Sequence, residues 1–570
     1  MTEKPFSNTR QALVPALSVA VLLTATLFLF APASIYVGNS EEFSYGLADL
    51  LGSYGPVAAV TFAVVFLLPV LTRGPARSMI LSGLWALAAL LYVQGNLLVW
   101  KYGSFDGRDI PWSQFTPQAI LEIVVWVGLF FVAFKWSRKL ASNVVSLSAI
   151  LLVVQGASLV VNTAGADDLW MRESADQPKS SVFGYSATTN VIFIVLDAFQ
   201  SPTFSELLEE HPEYREQLQG FTSFNENTGV LSSTAMSIPA MLSGEMYYNQ
   251  VERTRFLDTA LTERSLPEFL ATRGYRSNLV TLRQYCGFFE LASCQRIGDF
   301  DDVDSKQTES VRLYDLALFR YSPHYAKQKI YDDHVWLLES LLISDSAASG
   351  MQRRSLALSR LLKRDSFVEG EEPTFKFLHF MLPHKPLMLD ENCENLPKRV
   401  RTAEGAKHDM ELYKRQARCA LKLAIGVVDT MRELDVFDQS LIVIAADHGT
   451  GPRKQFDSVN VFFRKSVGRA MPVLLIKPPH SDEPFSVSSN PSTLTDIPKT
   501  ITDLLGLESE YPGVSAFEAA FPRERHYYHY VWWYSYRKQE YLPPLQEFII
   551  DGPVAERDSW TLGRLLTRPE

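Results

Sequence analysis

Asn190-Val-Ile-Phe-Ile-Val-Leu-Asp197 decides the fold of the larger part of this chain. An unbroken apolar run rich in β-branched residues suits a strand buried on both faces, as in a parallel sheet covered by helices. A second run, Leu441-Ile-Val-Ile-Ala-Ala446, ends in Asp447-His448-Gly449. Further strand-type runs at 276–281, 374–381 and 471–477 alternate with helical candidates at 203–219, 262–273, 405–434 and 495–506. This alternation predicts an α/β sandwich with a mostly parallel central sheet. In such sheets ligands bind beyond the carboxyl ends of strands, where Asp197 and Asp447-His448 both stand.

Upstream of this region the composition changes. Apolar stretches near 11–33, 54–72, 78–100, 118–135 and 142–162 approach the ~20 residues that cross a bilayer as a helix. They predict a five-helix transmembrane domain over residues 1–162. Lys4 and Arg10 precede the first stretch, Arg73 and Arg77 follow the second, and Lys135, Arg138 and Lys139 follow the fourth. The intervening loops carry Glu41, Glu42 and Asp49, or Lys101 and Arg108 offset by Asp106 and Asp109. The positive-inside rule puts the N-terminus in the cytoplasm, and an odd number of spans exports everything after residue 162. A polar linker is expected over 163–187, a catalytic domain over 188–508 and a C-terminal extension packed on it over 509–570.

All four cysteines fall in the exported part. Two local disulfides, Cys286–Cys294 and Cys393–Cys419, are the simplest account in an oxidising compartment. The formal net charge of -10 argues against a nucleic-acid partner, which needs a basic face. Residues 311–342 are rich in apolar and aromatic side chains and read as subdomain packing, or alternatively as an amphipathic piece resting on a bilayer. The aromatic stretch 526–535 fits a strand, with sugar or lipid binding as the alternative.

Four separated residues carry the candidate chemistry. Asp197, Asp447 and His448 offer carboxylates and an imidazole suited to one divalent cation, zinc or manganese. Thr234, in Ser232-Ser-Thr-Ala-Met-Ser-Ile-Pro239, offers a hydroxyl that such a metal would activate as a nucleophile. Each has a plainer reading: Asp197 as a helix-capping residue, and Ser232, Ser233 and Thr234 as caps of the helix that follows. His384, beside Lys385, could bind the transferred group or protonate a leaving alcohol. His379 alternates with apolar residues and reads as structural. His211, His324, His334, His408 and His480 have no companion cluster and read as surface or packing residues.

Taken together, Asn190–Asp197, Thr234-Ala-Met-Ser-Ile-Pro239, His379-x4-His384 and Ala446-Asp-His-Gly449 resemble the sulfatase/alkaline phosphatase superfamily. Met471–Pro478, Leu494-Thr-Asp-Ile-Pro498 and Leu504-Leu-Gly506 resemble its later strands and closing helix, so the similarity covers residues 188–508. Apolar spans followed by such a domain resemble its bacterial membrane-bound branch, the phosphoethanolamine transferases and the phosphoglycerol transferases related to lipoteichoic acid synthase. The resemblance implies an inner-membrane enzyme with a periplasmic site. It would take a phospho-alcohol group from a membrane phospholipid onto Thr234 and pass it to an envelope glycan or glycolipid. It also implies Asp197, Thr234, Asp447 and His448 as metal ligands and His384 as a substrate-binding histidine.

The chain departs from that branch in two ways. Asp197-Ala198 stands where those transferases usually have Glu followed by Ser or Thr. No histidine occurs between residues 449 and 470. Thr234 cannot become the formylglycine of true sulfatases. The alternatives are a sulfatase-like hydrolase acting on phosphodiesters or sulfuric esters, and a lipid-binding scaffold that kept the fold but lost catalysis.

Overall fold

The computed structural model describes residues 9–569 apart from 41–42, 44, 103–104, 106–109, 164–169, 171–179, 301–304, 333–334, 344–349, 402–405, 451–467 and 531–538. Most of the linker expected at 163–187 lies outside the described residues, as do Lys4, Glu41, Glu42, Asp106, Arg108 and Asp109. The chain divides into two compact units, one of residues 1–105, 109–176 and 302–346, the other of residues 106–108, 177–301 and 347–570.

Among the described residues of the first unit, four helices are long and apolar enough to cross a membrane: Gln11–Gly38, Gly74–Asn96, Trp112–Lys135 and Ser137–Thr163. The expectation of five spans is corrected to four, so the export argued from an odd number of spans no longer follows from the count. The second expected span forms Gly55–Leu71, an apolar helix of 17 residues. Pro56 fixes its start, and at its end Thr72 turns extended and Gly74 takes a φ of 59°. At 1.5 Å per residue it reaches about 26 Å, short of the roughly 30 Å hydrocarbon core.

The first long helix carries a π-helical turn, Thr26–Phe30. There the Thr26 hydroxyl bonds back to the Leu22 carbonyl and accepts from Gln155 Nε2 at 3.1 Å, tying the first helix to the last.

Residues 302–346, which interrupt the second unit in sequence, fold with these apolar helices. Helix Ser305–Tyr321 is fixed to them by polar contacts as well as by packing. Tyr54 Oη donates to the Ser310 carbonyl at 2.7 Å and Arg320 Nε to the Gly95 carbonyl at 2.7 Å. The buried Glu122 accepts from the His324 backbone N–H, Trp100 Nε1 and Gln94 Nε2. A buried carboxylate needs such a full set of donors. The aromatic residues expected to pack here do so: Tyr102, Phe319, Tyr331 and Trp336 form one buried cluster.

The second unit is built on an eight-stranded sheet. In chain order its strands are β1 (Asn190–Leu196), β2 (Thr222–Phe224), β3 (Arg276–Thr281), β4 (Ser293–Arg296), β5 (Thr374–Phe380), β6 (Leu441–Ala445), β7 (Leu474–Lys477) and β8 (Ser486–Ser488). Their spatial order is β8-β2-β7-β6-β1-β5-β3-β4. β7 pairs antiparallel with both its neighbours while the other pairs are parallel, so the sheet is mixed but mostly parallel.

The reason for the unbroken apolar runs is visible in β1. Ile192, Ile194 and Leu196 enter one apolar layer, while Val191, Phe193 and Val195 enter the other. Each such side chain, once fully buried, contributes about 1.5–3 kcal/mol before entropy is counted. Helix Ala406–Glu433 covers the first face through Ala417, Leu421, Val428 and Met431. Helices Thr234–Ser243 and Ile497–Leu504 cover the second.

Glu524–His529, Leu545–Asp551 and Trp560–Leu566 form a separate antiparallel three-stranded sheet. The aromatic stretch 526–535 thus begins as a strand, and its residues from 531 on lie outside the described residues. Disulfides join Cys286 to Cys294 and Cys393 to Cys419.

Candidate active site

Three loops meet at the carboxyl ends of β1, β5 and β6. Register explains why: β1 lies between the other two, with Val195 opposite both His379 and Ala445. Asp197 therefore leaves the sheet beside His379 and next to Asp447. Its N–H donates to the Phe380 carbonyl at 3.0 Å. Ala198 then takes a φ of 65°, a left-handed conformation that a non-glycine residue adopts at a cost. That turn aims the Ala198 N–H at Asp447 Oδ1, 3.1 Å away. The His448 N–H also donates to Asp447 Oδ1, at 2.9 Å.

The other Asp447 oxygen is therefore left over. Asp447 Oδ2, Asp197 Oδ1 and His379 Nε2 are all buried without a hydrogen-bond partner, which is costly unless something absent from the chain satisfies them. Ligand atoms of Asp197, His379 and Asp447 lie within 4.8 Å of one another. His379 Nε2 is 3.5 Å from Asp197 Oδ2, and His448 Nε2 is 3.6 Å from Asp447 Oδ2 and 3.9 Å from Asp197 Oδ1. Donors placed ~2.0–2.1 Å from one tetrahedral ion are about 3.3 Å apart. The cluster is slightly wider than that and fits a divalent cation.

His448 is prepared for such a role. Its Nδ1–H donates to the Gly449 carbonyl at 2.7 Å, which leaves the Nε2 lone pair facing the carboxylates. Burial lowers its pKa and favours the neutral ring, against the pull of Asp447. Burial also disfavours the Asp197 charge, but His384, His379 and His448 hold its carboxyl well below the usual range. Gly449 is required sterically: a Cβ there would stand 2.0 Å from the Gly468 carbonyl oxygen.

Thr234 is the first residue of helix Thr234–Ser243. Its Oγ1 lies 3.4 Å from both Asp197 Oδ2 and His448 Nε2. The capping alternative is not used. Ser233 occupies the cap position without a side-chain cap bond. Its hydroxyl instead meets Tyr530 Oη, while Ser232 Oγ donates to the Tyr530 carbonyl at 2.7 Å. Tyr285 Oη donates to the Thr234 carbonyl at 2.9 Å, fixing the residue from behind.

His384 stands at the edge of the cluster, its ring 6.4 Å from that of His448 between centroids. Its Nδ1–H donates to the Lys385 carbonyl at 2.6 Å, and Gln352 and Gln416 amides hold its own carbonyl at 3.0 and 2.9 Å. The turn is thus fastened while the ring stays accessible.

The fold brings Asp197, Thr234, Asp447 and His448 together and sets His384 beside them. It also adds His379, which the sequence pattern assigned to packing. The alternation Phe377-Leu-His-Phe380 tells which sheet face His379 shares but not that Asp197 stands next to it. His211 and His324 lie elsewhere, with Glu213 and Tyr102.

A family model described as Sulfatase matches residues 189–507. No curated protein matches the chain. Similar solved structures include the lipoteichoic acid synthase LtaP from Listeria monocytogenes, at 12% identity over 67% of this chain and 88% of that one, TM-score 0.38. The phosphonate monoester hydrolase of Silicibacter pomeroyi is similar at 15% identity over 64% of this chain and 87% of that one, TM-score 0.39. A protein of the alkaline phosphatase superfamily from Vibrio parahaemolyticus is similar at 10% identity over 65% and 79%, TM-score 0.39. Since the matched family model spans more than half of its length, this chain belongs to the sulfatase family.

Proposed function

We propose that this chain is a membrane-anchored, metal-dependent transferase. It moves a phospho-alcohol group, phosphoethanolamine or phosphoglycerol, from a membrane phospholipid to an envelope glycan or glycolipid through a phospho-threonine. The carrying observation is the Thr234 hydroxyl, set 3.4 Å from Asp197 and His448 and tied up by no cap. The apolar helices support a lipid donor. The two disulfides support an oxidising, periplasmic location for the second unit.

Asp197, Asp447, His448 and Thr234 would hold the cation, with His379 as a further donor. A zinc or manganese ion bound there would lower the hydroxyl pKa and offset charge on the phosphoryl oxygens. Thr234 Oγ1, its proton lost to solvent, forms a bond to phosphorus, and the bond from phosphorus to the diacylglycerol oxygen breaks. His384 gives that oxygen a proton. In the second half His384 takes the proton of the acceptor hydroxyl, that oxygen attacks phosphorus, the bond from phosphorus to Thr234 Oγ1 breaks, and Thr234 Oγ1 regains a proton from solvent. Hydrolysis differs only in the acceptor, and the family match supports it as the second reading. Threonine at the nucleophile position disfavours sulfate-ester cleavage through formylglycine.

The test is mass spectrometry of the Thr234 peptide after incubation with vesicles of phosphatidylethanolamine and phosphatidylglycerol. The expected result is a phosphoethanolamine or phosphoglycerol adduct on Thr234, discharged by a glycan acceptor. Donor turnover without any adduct on Thr234, under trapping at low pH, would sink the covalent route. Discharge by water alone would make the protein a hydrolase.

A further inference from the structure

A cation with one side-chain hydrogen bond among the described residues stands at the Ser232 carbonyl, two residues before the proposed nucleophile. Arg469 is partly buried, and its Nη1 donates to the Ser232 carbonyl at 2.7 Å, two residues before Thr234. Its own carbonyl accepts the Gly449 N–H at 2.9 Å. The residue therefore spans from the Asp447-His448-Gly449 turn to the start of the Thr234 helix. Among the described residues it has no carboxylate partner and no other side-chain hydrogen bond. A guanidinium carries five N–H donors, so most of its donors have no hydrogen-bond partner among the described residues. Its charge reaches the His529 ring, adding to burial in lowering that pKa. A partly desolvated guanidinium without a counter-charge is unfavourable by itself. It is also the group whose planar fork best matches a tetrahedral oxyanion. The free N–H groups of the first turn of the ten-residue helix Thr234–Ser243 favour the same kind of ligand.

We infer that Arg469 binds a nonbridging oxygen of the phosphoryl group that Thr234 accepts. Arg469 thereby supplies an anion grip next to the start of the Thr234 helix. The inference rests on the transfer proposed at Thr234, and it names the side chain that fixes the phosphoryl group for in-line attack. A side chain that binds the group in both ground and transition states raises affinity, and one that tightens as charge spreads also raises kcat.

The experiment uses the full chain in detergent, loaded with zinc or manganese, as wild type, R469K and R469A. Calorimetry measures binding of inorganic phosphate, and donor vesicles give kcat and KM. In R469A, phosphate binding weakens at least about tenfold and kcat/KM falls roughly 100-fold or more, on the scale of removing one oxyanion donor. R469K recovers part of the phosphate affinity and less of kcat, because a point charge replaces a fork. Metal content stays unchanged in all three.

Equal phosphate affinity in wild type and R469A overturns the inference, even if turnover persists. Absence of phosphate binding to the loaded wild type overturns it as well. Phosphate binding that depends on Arg469 without any adduct on Thr234 separates the two claims: the grip stands and the transfer fails. Should R469A not fold, R469K alone decides, since unchanged phosphate affinity and unchanged kcat in that variant count against a bidentate contact.

Discussion

Thr234 Oγ1 stands 3.4 Å from His448 Nε2, and the imidazole is held in that direction by its Nδ1–H bond to Gly449. The fold brings a hydroxyl and a lone pair this close from distant parts of the chain. Their orientation comes from backbone groups, not from each other.

Replacing the hydroxyl tests that pair. T234A should lower donor turnover on the order of ten-thousand-fold or more, as loss of a nucleophile does. Thermal stability should change little, because the long 3.4 Å contacts contribute less than about 1 kcal/mol. T234S should keep measurable turnover. Headgroup-transfer assays with melting curves check both.

His379 should behave as part of the metal centre. Its unpartnered Nε2 predicts that H379A loses at least about tenfold in zinc or manganese affinity, read by metal content after dialysis against graded chelator. Stripping the wild type of metal should lower its melting temperature, since Asp197 and Asp447 would then be left buried and uncompensated. Readdition at a hundredfold excess over Kd should restore about 2.7 kcal/mol.

Gly449 tolerates no side chain. G449A places a Cβ 2.0 Å from the Gly468 carbonyl oxygen, and the backbone has to move. The expected cost is about 1–3 kcal/mol, measured by chemical denaturation. Activity should fall further than stability, because the Gly449 carbonyl orients His448.

His529 should make stability depend on pH. Burial, with the Arg469 charge added, lowers its pKa from 6.5 to about 4. Between those two values the unfolded chain takes up a proton that the folded one refuses. Stability is therefore full above pH 6.5, declines as pH falls toward 4, and loses nothing more from this group below that. H529Q should flatten that part of the melting-temperature profile, and an unchanged slope would remove His529 as the cause.

Several features were readable in the sequence alone. The apolar runs at 191–196 and 441–446 announced strands because burial on both sheet faces demands apolar residues at every position, not every second one. Asp197, Asp447 and His448 stood out because they end those runs, where a parallel sheet collects its ligands. The cysteine pairs were legible from short spacing. Helix Gly55–Leu71 was harder: hydropathy does not show where Thr72 and Gly74 interrupt the helix.

The rest depended on which strands become neighbours. The sequence determined the burial of β1, β5 and β6, since apolar content and period follow from each segment alone. Only the tertiary structure decided that β1 lies between the other two, with Val195 opposite His379 and Ala445. That order made a ligand candidate of a histidine that looked structural. It likewise decided that Ser305–Tyr321 joins the apolar helices through Tyr54 and Gly95, although its composition suits packing in either unit. The physical reason is the same in each case. Local pattern fixes which face of a segment avoids water, whereas long-range pairing selects what that face meets.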